Sequence, residues 1–320
     1  MKSRYAGGII YFLVIVSTLL MRISGSVGVY DALNVDADVY FTCIVQILCF
    51  GALPIIGYFI VAKQCRCDEI KPLLVEFNIQ KCSLRGFGLC LAAVVPTLLI
   101  SSFISFVWQN VLALTGYLHA TPDPVVQTPA NLVADIFLVA VLPGIFEEIT
   151  HRGLVFAAYR ETGCKVVLVS GLLFALMHQN ITQTGYTFFI GVIAALMVYY
   201  TGSLLPAVFL HFFNNFISVL GDYTTLSPVF AFISDARNWL FGNLLGLLVC
   251  ALLMIASVVA VCLLFRVLRQ DAVKQGRLPV KTYEKPWVGA IPLHRDVPFI
   301  VTVCVGVCAT VFSFVWRLVL

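Results

Sequence analysis

Two neighbouring carboxylates, Glu147 and Glu148, stand four residues before His151 and Arg152 in a run, 130–158, that is otherwise apolar. Two more polar centres follow in later apolar runs. His178 comes four residues after Phe174, and His211 comes four residues before Asn215. On a helix, positions i and i+4 share a face. Glu148 and Arg152 can then form an internal ion pair, with the carboxylate on the favourable N-terminal side, while Glu147 shares a face with His151. One carboxylate is neutralised by this pairing and the other is left free. The chain has 5 His, and three of them, His151, His178 and His211, lie in these same runs. A lone His in a helix usually satisfies a hydrogen bond; three beside a free carboxylate read as a site.

The chemistry such a set supports is water activation. A carboxylate in a low-dielectric cavity can act as a general base. A His can share the water or bind a metal such as zinc. A second His and an Asn amide can donate hydrogen bonds to a developing oxyanion. Ser residues are scattered and no Cys has an acid–base partner by spacing, so neither offers a nucleophile. Composition and spacing by themselves therefore point to an intramembrane hydrolase.

The elements that must hold these residues are membrane helices. Of the 320 residues, 61% are hydrophobic and 11% charged, with a mean hydropathy of +0.99. Soluble domains are about 45–50% apolar and about 25% charged, so lipid must be the solvent for much of this chain. Apolar stretches of spanning length, roughly 20 residues, occur near 6–24, 39–62, 86–108, 130–158, 166–182, 185–201, 203–220, 239–265 and 298–316. The expected fold is all-α, a polytopic transmembrane bundle of about eight to nine spanning helices. It forms a single membrane domain over 1–320, with a catalytic core at 130–220 and flanking helices at 1–129 and 221–320. Lys2 and Arg4 precede an apolar run with no clear A-x-A site, which reads as a retained first helix rather than a signal peptide. Thr201-Gly202-Ser203 predicts a tight hairpin, and Pro143-Gly144 predicts a kink just before the carboxylates.

Charge sets the orientation. Most of the 20 Lys and Arg fall on one side if the N-terminus is inside: Lys2 and Arg4, the loop 63–85, Arg160 with Lys165, and the basic loop 266–297. The positive-inside rule then places the N-terminus in the cytoplasm. None of the 11 Cys falls in the expected outer loops 25–38, 109–129 and 221–238, which agrees with reduced thiols. Cys65-x-Cys67 with Cys82 lacks the spacing of a zinc pair. No basic run is interleaved with aromatics, so nucleic acid is not an expected partner. The sequon Asn180-Ile-Thr182 lies too near a helix end to persuade as a glycan site.

Glu147-Glu148-x-x-x-Arg152, Phe174-x-x-x-His178 and His211-x-x-x-Asn215 together resemble the three motifs of the CPBP family, the CAAX prenyl-protease and bacteriocin-processing membrane proteins also called Abi. Order, spacing and helical membrane context all agree over roughly 130–220. The resemblance implies an intramembrane endopeptidase. Carried over by motif, Glu147 is the general base with His178 beside it, His211 and Asn215 hold the oxyanion, and Glu148 and Arg152 support the site or substrate. The family is described both as zinc metalloprotease and as glutamate-dependent, so zinc held by Glu147, His178 and His211 stays open; an HExxH helix is absent. Family members commonly carry an aromatic residue where this chain has His151. That residue is read mainly as a hydrogen-bonding substitution, with an added ligand or a retuned base as the alternative.

The expected partners are a peptide or membrane-protein substrate and the lipid bilayer, with no soluble cofactor. The expected place is a bacterial cell membrane, because many compact family members are bacterial. Two other functions compete. A non-proteolytic bacteriocin-immunity or regulatory scaffold need not keep the complete motif set. A small transporter predicts repeat halves, which the sequence lacks.

Overall fold

The computed structural model describes residues 2–26, 43–64, 73–117, 126–277 and 292–319. Among the described residues the chain is helical and has no strand. Helix α1 spans Lys2–Ser26. Helix α2 joins a π-helical segment, Val45–Ala52, to Leu53–Gln64. Helix α3 spans Leu84–Leu114. Helix α4 is a continuous composite of Pro129–Asp135, the π segment Ile136–Val141, Leu142–Glu148, the π segment Ile149–Leu154 and Val155–Tyr159. Then come α5 (Lys165–Met177), α6 (Ile181–Thr201), α7 (Leu205–Asp222), α8 (Pro228–Gly242), α9 (Leu244–Lys274) and α10 (Val297–Val319).

Five of these helices are long and apolar enough to cross a membrane: Ala6–Ser24 of α1, α3, α6, α9 and Val297–Trp316 of α10. The chain is an integral membrane protein on this ground. The other runs read as spans are shorter or more polar. Helix α5 has 13 residues, and α4 carries the ionisable cluster and is broken by two π segments. The total of eight to nine spans is therefore not reached by length and composition among the described residues. Leu248, Leu252, Ile255 and Val259 of α9 are exposed at helical spacing, the face a lipid-contacting helix presents.

Local chemistry explains most boundaries. Thr128 caps α4 by accepting from the Asn131 N–H, with Pro129 in the first turn where its missing N–H costs nothing. Asn180 caps α6 by accepting from the Thr182 N–H, so the sequon asparagine is engaged in the fold. Gly202 closes the hairpin between α6 and α7 at φ +68°, a conformation glycine adopts without strain. Two expectations are corrected. The outer loop 221–238 contains most of α8, begun by the Ser227 cap and Pro228. The basic loop does not begin at 266, because α9 runs on through Arg266 and Arg269 to Lys274; the apolar pattern ends before the helix does. The expected outer loop 25–38 begins inside α1, which runs to Ser26, and its remaining residues 27–38, with Cys65, Cys67, Pro122, Pro124 and most of the rest of the basic loop, lie outside the described residues.

The core lies where α4, α5, α6 and α1 meet. Tyr11, Val14 and Ile15 of α1 are fully buried, so the first helix is part of the bundle. Helices α5 and α6 approach closely through glycines. A Cβ on Gly191 would come 3.0 Å from the Gly171 Cα, and one on Gly171 would come 2.6 Å from the Val192 side chain. Small residues at such crossings let two backbones meet. At the end of α4, Phe77 packs on Gly153, and the Asn78 side chain donates to the Arg152 carbonyl at 2.8 Å.

Candidate active site

Helix α4 lifts Glu147, Glu148, His151 and Arg152 into the bundle, and its two π segments decide where they point. The Leu142 N–H donates to the Phe137 carbonyl and the Val155 N–H to the Thr150 carbonyl, five residues back rather than four. Each π turn shifts the helix phase and leaves carbonyls needing other donors; such turns recur at functional sites. The donors come from side chains. Asn215 Nδ2 donates to the Val139 carbonyl at 2.8 Å, His151 Nδ1 to the Glu147 carbonyl at 2.7 Å and Ser170 to the His151 carbonyl at 3.0 Å. In a membrane, backbone groups must be satisfied within the protein, and here those donors tie α4 to α5 and α7.

The ion pair expected from spacing is present. Arg152 Nη1 donates to Glu148 Oε1 at 2.7 Å, and both side chains are buried. The same Oε1 also accepts from His211 Nδ1 at 2.9 Å. Arg152 Nη2 reaches across to the Gly191 carbonyl at 2.8 Å, and its guanidinium sits 4.7 Å above the Phe174 ring. Glu148 is thus a buried junction between the cation of α4 and the imidazole of α7.

Glu147 is held differently. Its Oε1 accepts from Gln46 Nε2 at 2.8 Å. Its Oε2 has no hydrogen-bond partner and lies 4.0 Å from His211 Nε2. His178 Nδ1 lies 2.9 Å from the Phe174 carbonyl. A carbonyl only accepts, so that nitrogen carries the hydrogen and Nε2 keeps its lone pair. Phe174 sits among the imidazoles, edge-on to His151, His178 and His211 with centroids 5.0, 5.0 and 5.4 Å away.

A cavity of about 210 Å³ opens beside this cluster. Glu147, His178, His211 and Asn215 all line it, together with Phe174, Tyr186 and Asn214. Asn214 Nδ2 donates to Asn215 Oδ1 at 3.0 Å, which leaves Asn215 one N–H for Val139 and a second N–H to spare. His151 is not on the cavity wall. Its ring is fully buried between the Glu147 carbonyl and the Tyr11 hydroxyl, which lies 2.9 Å from Nε2. The face shared by Glu147 and His151 therefore yields a contact between a ring and a backbone carbonyl rather than a pair of side chains.

Sequence reasoning missed Gln46, Tyr11 and Asn214. Gln46 was visible as an amide inside an apolar run, but nothing in the sequence aligned it with Glu147. Asn214 stands beside Asn215, at an unassigned position of His211-x-x-x-Asn215.

The residues present do not fit a zinc site. Ligand atoms on a tetrahedral zinc lie about 3.3 Å apart, against 4.0 Å from Glu147 Oε2 to His211 Nε2. Among the described residues no group of three His, Cys, Asp or Glu is arranged to hold a metal ion. Burial pushes the Cys82 thiol up, outweighing the pull of Arg277, which disfavours a ligating thiolate there.

No curated protein and no solved structure matches the chain. Residues 129–217, which hold α4 to α7 up to Ile217 and with them the carboxylates, the three imidazoles and Asn215, match the model of a family described as Type II CAAX prenyl endopeptidase Rce1-like, in agreement with the CPBP resemblance of the motifs.

Proposed function

We propose that the chain is an intramembrane endopeptidase that hydrolyses a peptide bond with water activated by Glu147 and His178. The observation that carries this reading is the meeting of Glu147, His178, His211 and Asn215 on one cavity. The family match over residues 129–217 supports the reaction class.

The hydrogen inventory assigns the roles. Glu147 Oε2 and His178 Nε2 are both acceptors, so a water between them donates one hydrogen to each and turns a lone pair to the substrate carbonyl. As the oxygen bonds to the carbonyl carbon, Glu147 Oε2 takes the proton. The oxyanion accepts from the spare N–H of Asn215 and from His211 Nε2–H. His211 carries that hydrogen as an imidazolium, with its Nδ1–H on Glu148. When the tetrahedral intermediate collapses and the C–N bond breaks, Glu147 returns its proton to the leaving amine. Glu148 and Arg152 orient His211 and support the site. No step is assigned to zinc.

The substrate is a peptide or membrane-protein segment that reaches the cavity within the bilayer, and a prenylated C-terminal peptide is the first to try. The test is cleavage of quenched peptides, prenylated and unprenylated, by detergent-purified protein. Glu147→Ala lowers the rate about 10²–10⁴-fold, the range of a lost general base. A chelator in parallel leaves the wild-type rate unchanged. Equal cleavage by wild type and Glu147→Ala removes Glu147 as the base and with it this mechanism.

A further inference from the structure

We propose that Gln46 is the positioning residue for Glu147, fixing the carboxylate so that Oε2 rather than Oε1 meets the water. The inference rests on the endopeptidase reading and adds to the site a residue outside the 129–217 stretch.

The geometry is specific. Gln46 Nε2 donates to Glu147 Oε1 at 2.8 Å, and both side chains are buried. A carboxylate only accepts, so the amide must present its NH2 end. With Oε1 engaged, the unpartnered Oε2 is the oxygen left for chemistry, 4.0 Å from His211 Nε2. Gln46 is also held in place. It belongs to the π segment Val45–Ala52, whose Phe50 carbonyl accepts from Thr150 Oγ1 at 2.7 Å. Gly51 of the same segment meets the Phe146 ring so closely that a Cβ would come within 2.7 Å of it. Helix α2 thus grips α4 at Phe146, Glu147 and Thr150.

Gln46 Oε1 is buried without a partner, which is unfavourable, and the hydrogen bond that Nε2 gives Glu147 Oε1 offsets it. A cationic donor at this place would quench the base. An amide donates a hydrogen bond without adding charge, so the carboxylate is oriented and keeps its capacity to take a proton.

The test joins infrared spectroscopy to kinetics on the full-length protein in detergent. The Glu147 carboxylate band is isolated as the difference between wild type and Glu147→Gln. Gln46→Met, which keeps the length and removes the donor, is expected to shift that band. On a quenched farnesylated peptide the same variant is expected to lower kcat about 10–100-fold, the scale of a lost hydrogen bond to a charged group, with KM within about twofold. Gln46→Leu, which also removes the donor and adds no ionisable group, gives the same two results and serves if the Met variant does not fold. An unmoved band overturns the proposal, whether or not the peptide is cleaved. So does an unchanged kcat in a protein that Glu147→Gln inactivates. Cleavage that survives Glu147→Gln instead overturns the endopeptidase mechanism, and the band still decides the Gln46 contact.

Discussion

Glu147 and Glu148 are adjacent in the chain and opposite in character. Glu148 Oε1 receives both Arg152 and His211, whereas Glu147 keeps an oxygen with no partner. Removing charge should therefore separate stability from activity. Glu148→Gln leaves the Arg152 guanidinium buried without its counter-charge, which costs about 3–5 kcal/mol; thermal unfolding in detergent should fall clearly. Glu147→Gln should unfold close to wild type and yet lose cleavage. A Glu147→Gln protein as destabilised as Glu148→Gln would show that both carboxylates are structural. His178→Ala should lose activity like a base variant while the fold holds, because its ring contributes one bond to its own helix and otherwise faces the cavity.

At the scale of elements, the site depends on departures from the regular α-helix and on one close crossing. The π segments turn the polar residues of α4 and expose the carbonyls that bind α5 and α7 to it. The α5–α6 crossing places the Gly191 carbonyl under Arg152 Nη2. A Cβ at Gly191 already meets Gly171 backbone at 3.0 Å and the Phe174 ring at 3.1 Å. Backbone cannot yield as a side-chain tip does, so Gly191→Val should force the helices apart, lower the unfolding temperature and displace Arg152 from Glu148. Gly88, with nothing near its missing side chain, is the control: Gly88→Val should leave both quantities near wild type. Equal unfolding temperatures for the two variants would refute the claim that this crossing holds the site together.

At the scale of the molecule, five helices among the described residues are long and apolar enough to cross a membrane, and shorter or more polar ones carry most of the candidate site. The distribution of Lys and Arg predicts that the N-terminus and the turn after α4 share the cytoplasmic side. Cys164 lies exposed at that turn. In a variant keeping Cys164 as the sole thiol, a membrane-impermeant maleimide should label inverted vesicles and not right-side-out cells. Labelling from the outer side would invert the topology and, with it, the face from which substrate approaches.

The sequence by itself determined that this is a helical membrane protein and marked the three polar motifs, because apolar run length and i,i+4 spacing are local properties. The Glu148–Arg152 pair was legible for the same reason: one helical turn specifies it. It misplaced α8 and the end of α9, since turn residues and basic side chains do not by themselves stop a helix that tertiary contacts support. Only the tertiary structure decided that His151 turns into the core toward Tyr11, that His211 docks on Glu148, and that Gln46, 101 residues upstream, holds Glu147. Those contacts arise from the phase of the π segments and the crossing of separate helices. Neither has a sequence period, so neither can be read before the chain is folded.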